Sequence, residues 1–137
     1  MSAPPLAYAL AAAAYLGFQL TVRLVIYPQF GRVPAEAFSN FERAHQRSIT
    51  PLVAPLFAAL ALSTAGLVVA GPRVPGLAAA ALLGGVLGAT AFGAVPQHAA
   101  LSRGFDAAAY RRLLRWDSAR VVLALAQLAL GVVAVAL

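Results

Sequence analysis

Four long apolar stretches, separated by short breaks marked by proline, glycine or charge, dominate the chain. They cover about 6–27, 51–70, 76–95 and 119–137. Crossing a hydrocarbon layer about 30 Å thick takes roughly 20 helical residues, so each stretch is long enough to span a membrane once. The runs are unbroken rather than alternating, and four strands cannot close a barrel in lipid, so helices are expected. Proline lacks a backbone donor and crowds the preceding turn; Pro28 and Pro96 are therefore expected to end the first and third spans. The alanine-rich start could pass for a signal peptide. It lacks a basic leading region, and its apolar run is too long and ends in Arg23 and Tyr27, so it reads as an uncleaved span.

The connections between spans one and two and between spans three and four are patterned too. Phe38, Phe41, His45 and Ile49 recur at three- and four-residue spacing while Arg43 and Arg47 fall elsewhere around the wheel, which predicts an amphipathic helix leading into span two. Pro51 and Pro55 should kink or interrupt that junction. Asp106, just after Gly104, is placed to cap a long helix running through Tyr110, Trp116 and Arg120 into span four. The predicted fold is all-α: one integral membrane four-helix bundle over residues 1–137, with no internal repeat or second domain.

Composition supports the membrane reading. Of 137 residues, 62% are hydrophobic and 10% charged, against about 25% charged in soluble domains, which excludes a water-soluble globule. The net charge of +6 could suit nucleic acid, but a chain only 10% charged has too little polar surface to line a groove, so no nucleic-acid partner is expected. With no cysteine, disulfides and thiolate chemistry are excluded. Four spans place segments 28–50 and 96–118 on one side and segment 71–74 with both termini on the other. Nine arginines (23, 32, 43, 47, 103, 111, 112, 115 and 120) lie at or near the first side and only Arg73 at the second, which predicts a cytoplasmic first side. The expected location is the inner (plasma) membrane, multi-pass, with both termini extracytoplasmic.

The polar residues gather at the same side. Tyr15, Gln19, Arg23 and Tyr27 recur every four residues as a stripe on span one. Two readings stand: Arg23 snorkels to the interface with Tyr27 in the aromatic belt, or the stripe faces inward with Gln19 and Arg23 lining a cavity. Glu42 and His45 share a helix face in a Glu-x-x-His spacing. Di-iron bundles use two such units with further glutamates, and only one exists here. A mononuclear site from Glu42, His45, His98 and Asp117 is chemically allowed, but an isolated acid and histidine three apart more often form a hydrogen bond, so no metal is assigned. His98 sits where span three reaches the interface, and Asp117 and Arg120 are spaced to pair. Trp116 reads as an interfacial anchor or a stacking surface. Gly84 and Gly88 form a small-xxx-small pair, expected to pack inside the bundle, with homo-oligomerisation as the alternative. No phosphate loop, nucleophile elbow or His-Glu-x-x-His motif is present.

Tyr27-Pro28, Val95-Pro96 followed one turn later by Leu101, and Leu114-Arg115-Trp116-Asp117 with Arg120 are short motifs in a four-span layout. In these the chain resembles a family of small four-span membrane proteins that includes the anthrone oxygenases. The resemblance implies an oxidoreductase or oxygenase acting on a lipophilic phenolic or quinone-like substrate without an organic cofactor. His45 or His98 would serve as general base, and Arg23 or Arg120 would stabilise the enolate or phenolate. Tyr27 and Trp116 would offer aromatic faces to a planar substrate. Gln19, Glu42 and Asp117, placed at the same pole by the threading, are further substrate-binding candidates. The alternative is a non-enzymatic bundle that binds a lipid, a small lipophile or a protein partner; transport is a third option, weakened because no span carries an ionisable residue at its middle. The enzyme reading expects a histidine and an arginine to converge on a cavity, whereas the binding reading expects these side chains to pair off or face solvent.

Overall fold

The computed structural model describes residues 3–137. Four helices make up the fold: α1 (Ala3–Phe30), α2 (Ala35–Ala70), α3 (Arg73–Leu101) and α4 (Ala107–Ala136). Each is long and apolar enough to cross a membrane, and no strand occurs among the described residues, so the protein is an all-α multi-pass membrane bundle. Each helix packs against its neighbours in sequence, and α1 closes the ring by packing along α4. The first and last described residues therefore share one end, and the polar connections share the other, called the pole below.

Helices of 28 to 36 residues extend about 42 to 54 Å, well beyond an apolar layer of about 30 Å, so their polar turns project at the pole. Large side chains on the outer surface, among them Leu24, Leu62, Val69, Phe92 and Val122, are exposed and suit lipid. Inward side chains form three tiers. Tyr27, Phe30, Phe38, Leu101 and Leu113 pack at the pole; Tyr15, Leu16, Leu60, Val86 and Ala124 pack in the middle; Tyr8, Leu67 and Ala79 pack at the far end.

The prolines behave differently from expectation. Pro28 and Pro96 do not end their helices, which continue to Phe30 and Leu101. Each instead follows a π-helical turn, Val22–Ile26 in α1 and Ala89–Ala94 in α3. The residue before each proline donates five residues back, Tyr27 N–H to Val22 O and Val95 N–H to Thr90 O. One residue is thereby inserted into the turn, and the helix passes the missing proline donor without breaking. Nor do Pro51 and Pro55 interrupt α2, which is continuous from Ala35 to Ala70. Thr50 Oγ1 donates back to Gln46 O at 2.7 Å beside the first of them.

Glycines mark the close approaches. A Cβ on Gly131 would lie 2.8 Å from the Ala9 backbone, so this glycine lets α4 approach α1. A Cβ on Gly93 would run into the Trp116 ring. The expectation that Gly84 and Gly88 pack inside the bundle is not met: nothing lies within 4 Å of a Cβ at either, and Gly85 between them is the one that faces α4, against Leu123.

A candidate polar cavity at the arginine-rich pole

The inserted residue in α1 sets which side chains point inward. Without it, Gln19, Arg23 and Tyr27 would share a face; with it, Tyr27 takes the place a residue at position 26 would occupy, one heptad from Gln19. Gln19, Val22, Tyr27 and Phe30 are accordingly buried, and Arg23 is turned aside. Its side chain stays 35% exposed, donates to Leu114 O at 3.1 Å and stands 3.9 Å from Asp117 Oδ2. Arg23 thus lies across α4 and does not line the cavity.

Two hydrogen-bonded groups meet at Tyr27. On one side, Glu42 is fully buried and its Oε1 lies 2.6 Å from His98 Nδ1, while His98 Nε2 is 3.1 Å from Tyr27 Oη. A buried carboxylate beside Nδ1 assigns the proton to that nitrogen, which leaves Nε2 to accept from the Tyr27 hydroxyl. On the other side, Arg120 Nη2 donates to Tyr27 Oη at 3.2 Å and to Asp117 Oδ1 at 3.0 Å. Asp117 also accepts from Gln19 Nε2 and has no exposed surface. A chain therefore runs Glu42–His98–Tyr27–Arg120–Asp117–Gln19, with residues from all four helices. Glu42 pairs with His98 on α3 rather than with His45 on its own helix.

His45 stands apart from this chain but faces it. Its ring is 5.6 Å from that of His98 and 5.0 Å from that of Phe30, centroid to centroid. Gln46, which the sequence reading left out, ties the pole together by donating to Glu42 Oε1, His98 O and Ser102 Oγ. Its signal was present: it lies one turn after Glu42, on the same face. Tyr110, also unassigned, donates to Tyr27 O at 2.8 Å and pins the π turn from outside.

Between these groups and the middle tier lies a cavity of about 260 Å³, close to the lower limit of small-molecule sites. Gln19, Tyr27, His45, His98 and Arg120 give it a polar wall. Phe18, Ile49, Val53, Phe57 and Val95 supply an apolar one. Glu42 and Asp117 stand behind His98 and Arg120 and do not reach its surface. Trp116 is 41% exposed on the outside of the bundle, over Gly93, so it offers no face to the cavity. Among the described residues no three His, Asp or Glu side chains come together as metal ligands; Glu42 and Asp117 are separated by Tyr27 and Arg120.

Asp106 caps α4, its carboxylate accepting from Ala108 N at 2.8 Å and Ala109 N at 2.9 Å. Those two bonds hold its pKa below the usual carboxylate value. No family model, curated protein or solved structure matches the chain.

Proposed function

We propose that the cavity binds a planar, lipophilic phenol or quinone-like molecule and that Tyr27, held between His98 and Arg120, exchanges a proton with it. The observation that carries this reading is the placement of one buried hydroxyl between a histidine acceptor and an arginine donor, on the polar wall of a cavity whose other wall is apolar. Arg120 stabilises negative charge on the phenolic oxygen or on a substrate enolate beside it. His98, oriented by Glu42, takes up the released proton. His45 offers a second imidazole on the same wall. A carbanion or phenolate formed this way is electron-rich enough to be oxidised by dioxygen, the co-reactant of the oxidoreductase reading; the Tyr27-Pro28 and Trp116-Asp117 motifs favour that outcome by resemblance. Nine of ten arginines at the pole favour a cytoplasmic orientation, with substrate reaching the cavity from the lipid.

The test is turnover of added anthrones and quinols, with oxygen uptake, by protein in lipid nanodiscs. The wild type should consume substrate and oxygen together, and His98→Ala and Tyr27→Phe should each lower the rate by about a hundredfold or more. Absence of turnover by folded wild-type protein would refute the enzyme reading. A second reading, plain binding of a lipophile, is favoured by the mutual pairing of the same groups: Arg120 with Asp117, and His98 with Glu42. Saturable binding without turnover would select it.

A further inference from the structure

The cavity is not closed on every side. Thr50, Val53, Val95 and Ala99 belong to its wall, yet Val95 is 54% exposed on the outside of the bundle, Thr50 and Ala99 are exposed too, and Val53 is only half-buried. Thr50 and Val53 come from α2, Val95 and Ala99 from α3, so the cavity reaches the outer surface between those two helices. Gln19, Val22, Tyr27, Ala94 and Arg120, elsewhere on its wall, are buried.

Backbone packing accounts for the gap. Toward the far end α2 packs along residues 73–88 of α3, and at the pole it meets residues 95–101, but the π turn Ala89–Ala94 in between packs mainly on α4. The two helices are therefore clamped at both ends of the gap: Leu60 and Val86 share the middle tier, and Gln46 donates to His98 O and Ser102 Oγ at the pole. Between those clamps each helix runs for about 20 Å. Pro51 and Pro55 on α2 and Pro96 on α3 fall within these stretches, and a helix bends most readily where proline removes a donor. The borders are apolar, Val53 and Phe57 on one side and Val95 on the other, and Val53 lies about 9 Å beyond Arg47 toward the middle of the span.

We infer that this gap is a lateral entrance, with Val53 and Val95 as its lips, through which an uncharged ring compound dissolved in the bilayer passes into the cavity. An ion would have to shed its hydration against apolar lips, whereas a neutral ring crosses without that cost and meets Tyr27, His98 and Arg120 inside. Bending of either helix at its prolines widens the mouth while the two clamps keep the bundle together. The chemistry of the ring rests on the phenol reading above; the entrance belongs to the bundle itself and is tested without turnover.

The test exposes full-length protein in lipid nanodiscs to an uncharged phenyl diazirine that partitions into the bilayer, followed by light and mapping of the adducts by mass spectrometry. Cavities of about 150 Å³ accept benzene, so a one-ring probe has room in 260 Å³. In the wild type, label should reach the buried wall residues Val22 and Ala94 as well as the outward Leu62 and Val122. Val95→Trp, which narrows the mouth from an exposed position, should lower labelling of Val22 and Ala94 about tenfold and leave Leu62 and Val122 unchanged. Val53→Trp, on the opposite lip, should do the same and carries the test should Val95→Trp not fold. Val22 and Ala94 unlabelled in the wild type, or labelled equally in the folded variants, would overturn the entrance. Entry of the probe that the tryptophans block, together with no turnover of anthrones or quinols, would keep the entrance and reject the enzyme reading.

Discussion

Replacing Asp117 by leucine removes the anion that holds Arg120 inside the bundle. Asp117 has no exposed surface and Arg120 only 7%, and their contact is 3.0 Å. Deleting one partner of such a pair leaves an uncompensated buried charge, at a cost of about 3–5 kcal/mol. Arg120 keeps its bond to Tyr27 Oη, which favours the lower end, but Gln19 loses its acceptor, which adds about 1 kcal/mol. About 4 kcal/mol follows, or roughly 12 °C in melting temperature for a chain of this size. The double variant Asp117→Leu with Arg120→Met replaces the pair by apolar groups and should recover most of the loss, since buried ion pairs exchanged whole are often near neutral. Helix circular dichroism during heating in detergent measures all three proteins. An Asp117→Leu protein melting within about 3 °C of wild type, or a double variant no more stable than the single one, would refute the assignment of a buried, mutually dependent pair.

The other predictions address separate parts of the pole. Glu42→Gln keeps an acceptor near His98 Nδ1 but loses the charge, so stability should fall by only about 1 kcal/mol while the ring ceases to hold one tautomer, which nitrogen-15 shifts of His98 would show. Gly93→Ala should displace Trp116, destabilise by about 1–3 kcal/mol and shift the fluorescence of the only tryptophan, whereas Gly84→Ala, with open space around its Cβ, should be neutral or slightly stabilising. Asp106 has a depressed pKa when folded, so its contribution is complete above the unfolded value and fades as pH falls through the folded one. The melting temperature of wild type should drop more steeply over that acid range than that of Asp106→Asn, which keeps a cap without titrating.

The four spans were legible because a lipid-facing helix must be apolar over its whole length. Asp117 with Arg120 was legible for a local reason, since three residues on a helix bring side chains together. The stripe on α1 was only half legible: a four-residue spacing assumes an unbroken α-helix, and the π turn before Pro28 keeps Gln19 and Tyr27 inward while moving Arg23 out. The same turn recurs before Pro96, where proline was expected to stop the helix. A proline motif specifies a missing donor, but the surrounding packing decides whether the helix ends or absorbs an extra residue. Pairing of Glu42 with His98 crosses 56 positions and could not be read from spacing. Thr64 and Gln127, single polar residues within apolar runs, were visible in the sequence; their inward orientation became evident only with the tiers on either side.

A photoreactive anthraquinone, cross-linked to the protein in lipid and mapped by mass spectrometry, tests the central claim most directly. The label should fall within 49–57 and 90–99, compete with unlabelled quinone and saturate at one probe per chain, because those segments supply the apolar wall facing Tyr27, His98 and Arg120. Labelling confined to outward residues such as Leu62, Val69 and Val122, without saturation, would contradict it.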